Sequence, residues 1–396
     1  MNFCRFAAVK AVLAVALLLG GDVLAAPVPG KKAEAVAFQI NPAHSGSTTL
    51  KKFNTPLKLK WNVALGGWVS YPLIADGKVF VTVSNHDTLK EWLFALDQKN
   101  GHILWRAQIF DPFCLWSNAA YDDGTVYVVN FEQQVTAFDA KTGAVNWNIT
   151  LQGQSQVTSP PIASGGKVYL AAAGSGGTVY ELDGKTGKTL WTQNVDGGDF
   201  SAPALGDNGL YVAYDCNAYG LNPTTGKLRW HYYAGCGGGA GETPAYSAQF
   251  VYARSAASSN MILRAKNGAV KGVFAATRIP AFYNDQNGNP MEAVVSGEVL
   301  YGIHADSGIV AWSFGGDGAL DSAPIVVNGQ VIEGSSQGNL YVLDGATGNV
   351  NWTTNTGFPI YQPNELSVNE PLTGLGAGAG LLVVPASYNL LAYQSQ

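Results

Sequence analysis

Oxygen-bearing side chains recur at alternate positions in Asn284-Asp285-Gln286-Asn287-Gly288-Asn289, as they do in loops that wrap calcium. The stretch has one aspartate, and Glu292 comes too early to be the twelfth-position ligand of an EF-hand. A plain Asn-Gly hairpin turn is expected there. The histidines His44, His86, His102, His231 and His304 are scattered, and no Cys-x-x-Cys or His-Glu-x-x-His spacing suggests a metal centre. No Gly-x-Ser-x-Gly elbow, phosphate loop or dinucleotide fingerprint stands in a strand–turn–helix context. No catalytic residue and no metal ligand is assigned. Aromatic groups interspersed with carboxylates remain: Trp68 and Tyr71; Phe110, Phe113 and Trp116; and Phe358, Tyr361, Glu365 and Glu370. Such groups suit recognition of a peptide, a glycan or a protein surface.

The elements that position these groups follow from a repeat with a spacing of about 42 residues. It reads Asp97…Gly101…Trp105, Asp139…Gly143…Trp147, Asp183…Gly187…Trp191, Asn222…Gly226…Trp230, Gly308…Trp312 and Asp344…Gly348…Trp352. A degenerate copy at Gly268 has Arg264 in place of Asp and Gly272 in place of Trp. Each copy reads as four strands, marked by β-branched and aromatic residues and separated by Gly-Gly and Asp-Gly turns. One such sheet cannot bury both its faces, and radial stacking solves the problem. Within the motif, glycine supplies positive φ at the reversal, Asp and Thr cap local amides, and the tryptophan packs between sheets. Motif Trp, Gly and Asp residues are therefore scaffold. Seven units are complete. The missing outer strand of an eighth lies at Leu57–Val63, where Trp61 is in register with Trp105. The expected fold is all-β: an eight-bladed β-propeller of four-stranded antiparallel blades, closed by its N-terminal strand.

In a propeller, links between blades share one face with the second-to-third strand hairpins, and the Asp-Thr-Gly turns occupy the other. Three consecutive links then carry the aromatic residues: seven-to-eight (Phe358, Tyr361, Glu365, Glu370), eight-to-one (Trp68, Tyr71) and one-to-two (Phe113, Trp116). They form the expected partner face, although Trp68 and Trp116 would equally suit inward packing and Tyr71 suits it better. The same geometry brings Cys216, in a hairpin of blade four, near Cys236, just after that blade. A disulfide is expected, worth about 3 kcal/mol in the chain-entropy model. Cys114 is left single.

The Asp-x-x-Thr-Gly-x-x-x-Trp repeat resembles the pyrroloquinoline quinone (PQQ) type propeller, found in quinoprotein alcohol dehydrogenases and in the BamB-like outer-membrane assembly factors. The resemblance runs from about Leu57 to Gln394, and Phe38–Gly46 is similar to a leader often preceding such propellers. For a dehydrogenase it implies a quinone over the funnel near the ring axis, a metal held by carboxylates and amides, a catalytic Asp and adjacent disulfide-bonded cysteines. This chain has no Cys-Cys pair and lacks the long insertions of those enzymes.

Residues 1–25 read as a secretory signal: Arg5 and Lys10, then apolar Ala11–Leu19, then Val23-Leu24-Ala25 at the cleavage site. Residues 26–56 read as an extended leader and 57–396 as the propeller. No cysteine follows the signal to carry a lipid, so no membrane anchor is expected. A net charge of −5 without a basic run argues against nucleic acid. The expectation is an exported, periplasmic or extracellular, non-enzymatic scaffold that binds a protein or extended polymer and needs no cofactor. The alternatives are a reduced quinoprotein dehydrogenase with PQQ and calcium, or a carbohydrate-binding or -cleaving propeller using Glu365 or Glu370.

Overall fold

The computed structural model describes residues 34–110, 115–154, 156–174, 176–197, 200–207, 209–236, 241–255 and 258–396. The signal at 1–25, Phe113 and Cys114 lie outside them. Eight sheets, each built on four antiparallel strands, follow in chain order, with Trp68–Val69 and Ser47–Thr48 adding a short fifth strand to blades one and seven, and no helix occurs among the described residues. Blade one comprises Leu73–Ala75, Lys78–Asn85, Lys90–Asp97 and Ile103–Ile109, and blades two to seven repeat the plan. Blade eight takes Gly376–Gly378, Leu381–Ala386 and Asn389–Ser395 from the C-terminus and its outer strand, Leu57–Ala64, from the N-terminus. That antiparallel pairing runs from Leu57 opposite Ser395 to Ala64 opposite Asn389 and closes the ring.

The spacing of the motif has a contact behind it. Six of the seven motif tryptophans lie on the motif glycine of the following blade; the seventh, Trp352, meets Tyr393 of blade eight. A Cβ added to Gly143 would fall 2.7 Å from Trp105, one on Gly187 2.7 Å from Trp147, and one on Gly226 2.5 Å from Trp191. Gly268 faces Trp230, Gly348 faces Trp312, and Gly101 faces Trp61 across the closure. The indole N–H completes the link by donating to a carbonyl in the same turn: Trp61 to Gln98, Trp147 to Gly184, Trp230 to Ala265, Trp312 to Gly345. Within the turns, Asp139 and Asp183 each accept from the backbone N–H and hydroxyl of the Thr three residues on. Blade five has Gly272 in the tryptophan's place. A Cβ added to Gly308 of blade six would accordingly meet nothing within 4 Å.

The leader is not an appendage. From Glu34 to Leu50 it runs inside the ring against the innermost strands. Ala35 pairs with Ile74 of blade one, and Tyr121 of blade two donates to the Val36 carbonyl. Leu205, Tyr246, Phe282 and Val326, on blades four to seven, donate to Pro42, Ala43, Ser45 and Gly46. Ser47–Thr48 then adds a parallel strand to blade seven. Side chains support this course: Phe38 is buried against Tyr71, and fully buried His44 sets Nδ1 2.8 Å from the Phe38 carbonyl and Nε2 2.9 Å from that of Pro203. Burial holds the His44 pKa below its ordinary value; the two carbonyls and the charge of Glu365 pull the other way. A histidine that reads from sequence as preceding the ring is thus one of its axial residues.

Gly187 and Gly308 share nearly the same positive φ, 73° and 72°, and differ in the tryptophan. Gly308→Ala should cost only the left-handed backbone term, about 1–2 kcal/mol. Gly187→Ala adds a clash with Trp147 and should lower the urea midpoint distinctly further. Equal losses would contradict the tryptophan-on-glycine account.

Candidate binding face

The longest link joins blade seven, after Val350–Asn355, to blade eight at Gly376–Gly378. It has no strand pairing of its own and is held by single polar contacts. Ile360 N–H donates to the Ser335 carbonyl of blade seven at 3.1 Å. Gln362 N–H donates to Asp321 Oδ2, on the six-to-seven link, at 3.2 Å. Glu365 then reaches blade five: its Oε2 accepts the Thr243 N–H at 2.6 Å and its Oε1 pairs with Arg254 Nη1. On the return, the Leu372 carbonyl accepts the Tyr71 N–H of blade one at 2.9 Å. The link therefore arches across the funnel mouth.

Arg254 is buried, and Glu242 Oε2 lies 3.1 Å from its other terminal nitrogen. Burial opposes its charge, but Glu365 and Glu242 outweigh that and raise its pKa. Burial raises the Glu242 pKa although Arg254 works to lower it. Deleting one partner of such a buried pair leaves an uncompensated charge, at about 3–5 kcal/mol. Glu333 of blade seven is fully buried, and burial pushes its pKa well above 4.5 despite a 2.7 Å hydrogen bond from Ser322.

The expected face is only partly on the surface. Tyr71 is buried, its hydroxyl donating to the Ala119 carbonyl at 2.6 Å, so it joins blades one and two. Trp116 is 2% exposed and packs between blades two and three. Glu365 is in its ion pair, and Phe358 is half-buried against the core of blades seven and eight. These four start or brace strands instead of facing a partner; the positions that open an inner strand point into the stack. Trp68, Tyr361 and Glu370 do come together. They line a cleft of about 300 Å³ with Asp321, Gln362, Asn364, Thr373 and Ser387. Trp68 meets Tyr361 at 5.5 Å and Tyr388 at 5.3 Å between ring centroids, the latter edge-on. Tyr361 and Tyr388 are exposed.

Sequence reasoning placed Asn364 on the seven-to-eight link and missed Arg254, Asp321 and Tyr388. Arg254 alone left a signal, a cation closing the otherwise apolar run Phe250–Ala253. Cys216 and Cys236 are disulfide-bonded, Cα atoms 5.5 Å apart, on the link-bearing edge of blade four. The 284–289 loop is the hairpin between Ala281–Asn284 and Pro290–Ser296, its Asp285 accepting from Asn287 and Asn289 within the turn.

A quinone and metal over the funnel would need free donors there. Glu365 already satisfies Arg254 and Thr243, and among the described residues no three His, Cys, Asp or Glu side chains converge. The Glu365 carboxylate is therefore already engaged, and no reaction step is derived through a quinone or metal.

Comparison with known proteins follows the same lines. The family model described as "Outer membrane protein assembly factor BamB" matches residues 89–271 and 291–370, well over half of the chain. Tetrathionate hydrolase of Acidithiobacillus ferrooxidans is 29% identical over 208 residues, 45% of this chain and 40% of that protein. The dehydrogenase subunit of the quinone alcohol dehydrogenase of Gluconacetobacter polyoxogenes is 25% identical over 363 residues, 78% of this chain and 45% of that one. The chain thus spans less than half the length of these relatives. A europium-containing methanol dehydrogenase shares the fold, with a TM-score of 0.70 at 15% identity, over 92% of this chain and 98% of that one.

A testable consequence concerns Glu333. Its folded-state pKa is raised, so its contribution is most favourable below the unfolded value and is lost as pH rises through the folded one. Relative to Glu333→Gln, the unmodified protein should lose stability as pH rises above the ordinary carboxylate range in urea titrations. Parallel pH profiles would contradict a buried, protonated Glu333. With repeat, ring and family match in agreement, the chain belongs to the PQQ-type propeller family of the outer-membrane protein assembly factor BamB.

Proposed function

We propose that this protein is an exported, non-enzymatic binding propeller that engages a protein or extended polymer partner through its link-bearing face. The observation that carries the reading is the seven-to-eight link: Glu365 bound to Arg254 and Thr243 puts the chain's own residues over the funnel mouth. On this reading the leader closes the axis from within, and recognition falls to the outer surface of the links. The family match supports the reading, since that family is described as an assembly factor. Export to the periplasm or beyond rests on the signal-like residues 1–25, and no helix among the described residues is long and apolar enough to cross a membrane.

A quinoprotein dehydrogenase is the second reading, supported by the alcohol dehydrogenase relative and opposed by the occupied donors over the funnel. Carbohydrate cleavage by Glu365 or Glu370 is weaker, because Glu365 is locked in its ion pair.

The test is site-specific photocrosslinking in the native host. Probes at Tyr361 and Leu366 sample the link face; probes at Lys141 and Lys185 sample the turns opposite. A defined product from the first pair only, lost with Trp68→Ala, is expected. Equal labelling from both faces, or none from the links, would overturn the reading.

A further inference from the structure

The cleft beside the arching link has a chemistry that narrows its ligand. Its lining holds two carboxylates, Asp321 and Glu370, and no lysine or arginine. Asp321 is already matched: Arg278 Nη2 lies 3.0 Å from its Oδ1, and Arg278 Nε also donates to the Asp321 carbonyl. Glu370 is different. Among the described residues it takes part in no ion pair, and its one hydrogen bond, from Asn364, is long at 3.4 Å. One carboxylate without a counter-ion therefore shares the cleft with Trp68 and Tyr361.

The rings form an open corner: the Trp68 plane is tilted 58° to Tyr361 and 86° to Tyr388. Such a corner offers flat ring faces and does not enclose a point charge on all sides. A planar cation suits it, stacking on a ring while its fork of N–H donors meets a carboxylate. A volume of about 300 Å³ is at the small end for ligand sites and fits one side chain better than a run of sugar rings.

We infer that the Trp68–Tyr361–Glu370 cleft is an anchor site for an arginine side chain of the partner polypeptide. This rests on the reading that the link face binds a partner, and it commits that partner to a protein. The guanidinium stacks on Trp68 or Tyr361 and pairs with Glu370, while Gln362 and Asn364 supply amides at the rim.

The experiment is fluorine NMR on protein labelled with 5-fluorotryptophan, with the Trp68 resonance assigned by Trp68→Phe. The probes are blocked Gly-Arg-Gly peptide, its citrulline counterpart, which keeps the shape without the charge, and maltohexaose. The arginine peptide should shift the Trp68 resonance saturably, with the citrulline peptide and the Glu370→Gln variant each weaker by about tenfold. Glu370 is only half-buried, so the variant should fold, and the other fluorotryptophan resonances report whether it does. Equal response to citrulline, or response to maltohexaose alone, would overturn the arginine site while leaving a binding face. No response to any probe would overturn it too; crosslinking from Tyr361 then decides separately whether the partner-face reading survives.

Discussion

A tryptophan lying on the next blade's glycine is the contact on which the ring depends. The glycine is required twice, by its left-handed backbone and by the ring against it; at Gly143 a methyl would come within 2.7 Å of Trp105. Because six of the tryptophans reach forward one blade, six of the eight sheets are tied to their successors by stacking and an indole hydrogen bond. The tie continues across the chain ends, where Trp61 on the N-terminal strand covers Gly101. Closure therefore uses the same contact as the interior of the repeat. The contact is missing at two of the eight junctions, after Gly272 of blade five and at Trp352, which meets Tyr393 of blade eight instead, and the other six hold the circle.

A closed ring creates an axis, and this chain fills that axis from two directions. The leader supplies backbone carbonyls to the inner strands of blades two and four to seven, so its cohesion is mainly hydrogen bonding of groups that would otherwise be buried unpaired. The seven-to-eight link supplies Glu365 from the opposite side, and His44 feels its charge. The fold shared with methanol dehydrogenase is the same ring, but fold alone does not carry chemistry. In this chain the Glu365 carboxylate over the funnel is bound to Arg254.

The ring was legible because its signal is local and repeated: Asp, Gly and Trp at fixed offsets, in seven copies of which one is degenerate. The N-terminal closure was legible for the same reason, through Trp61 in register with Trp105. The leader's place inside the ring was not, since its contacts run through backbone carbonyls that any residue offers. Nor was the Arg254–Glu365 pair, whose members stand 111 residues apart without a motif to relate them. Trp68, Tyr71 and Trp116 look alike in sequence, each near the start of an inner strand. Only packing separates the ring left half-exposed at Trp68 from the two drawn inside.

The central claim is that the chain's own residues take the funnel mouth and leave the link surface for recognition. Calorimetric titration of the purified protein with PQQ, with and without calcium, followed by alcohol-dependent dye reduction, tests it most directly. The account predicts no saturable heat and no turnover. Metal-dependent binding accompanied by dye reduction would contradict it and make the protein a minimal quinoprotein dehydrogenase.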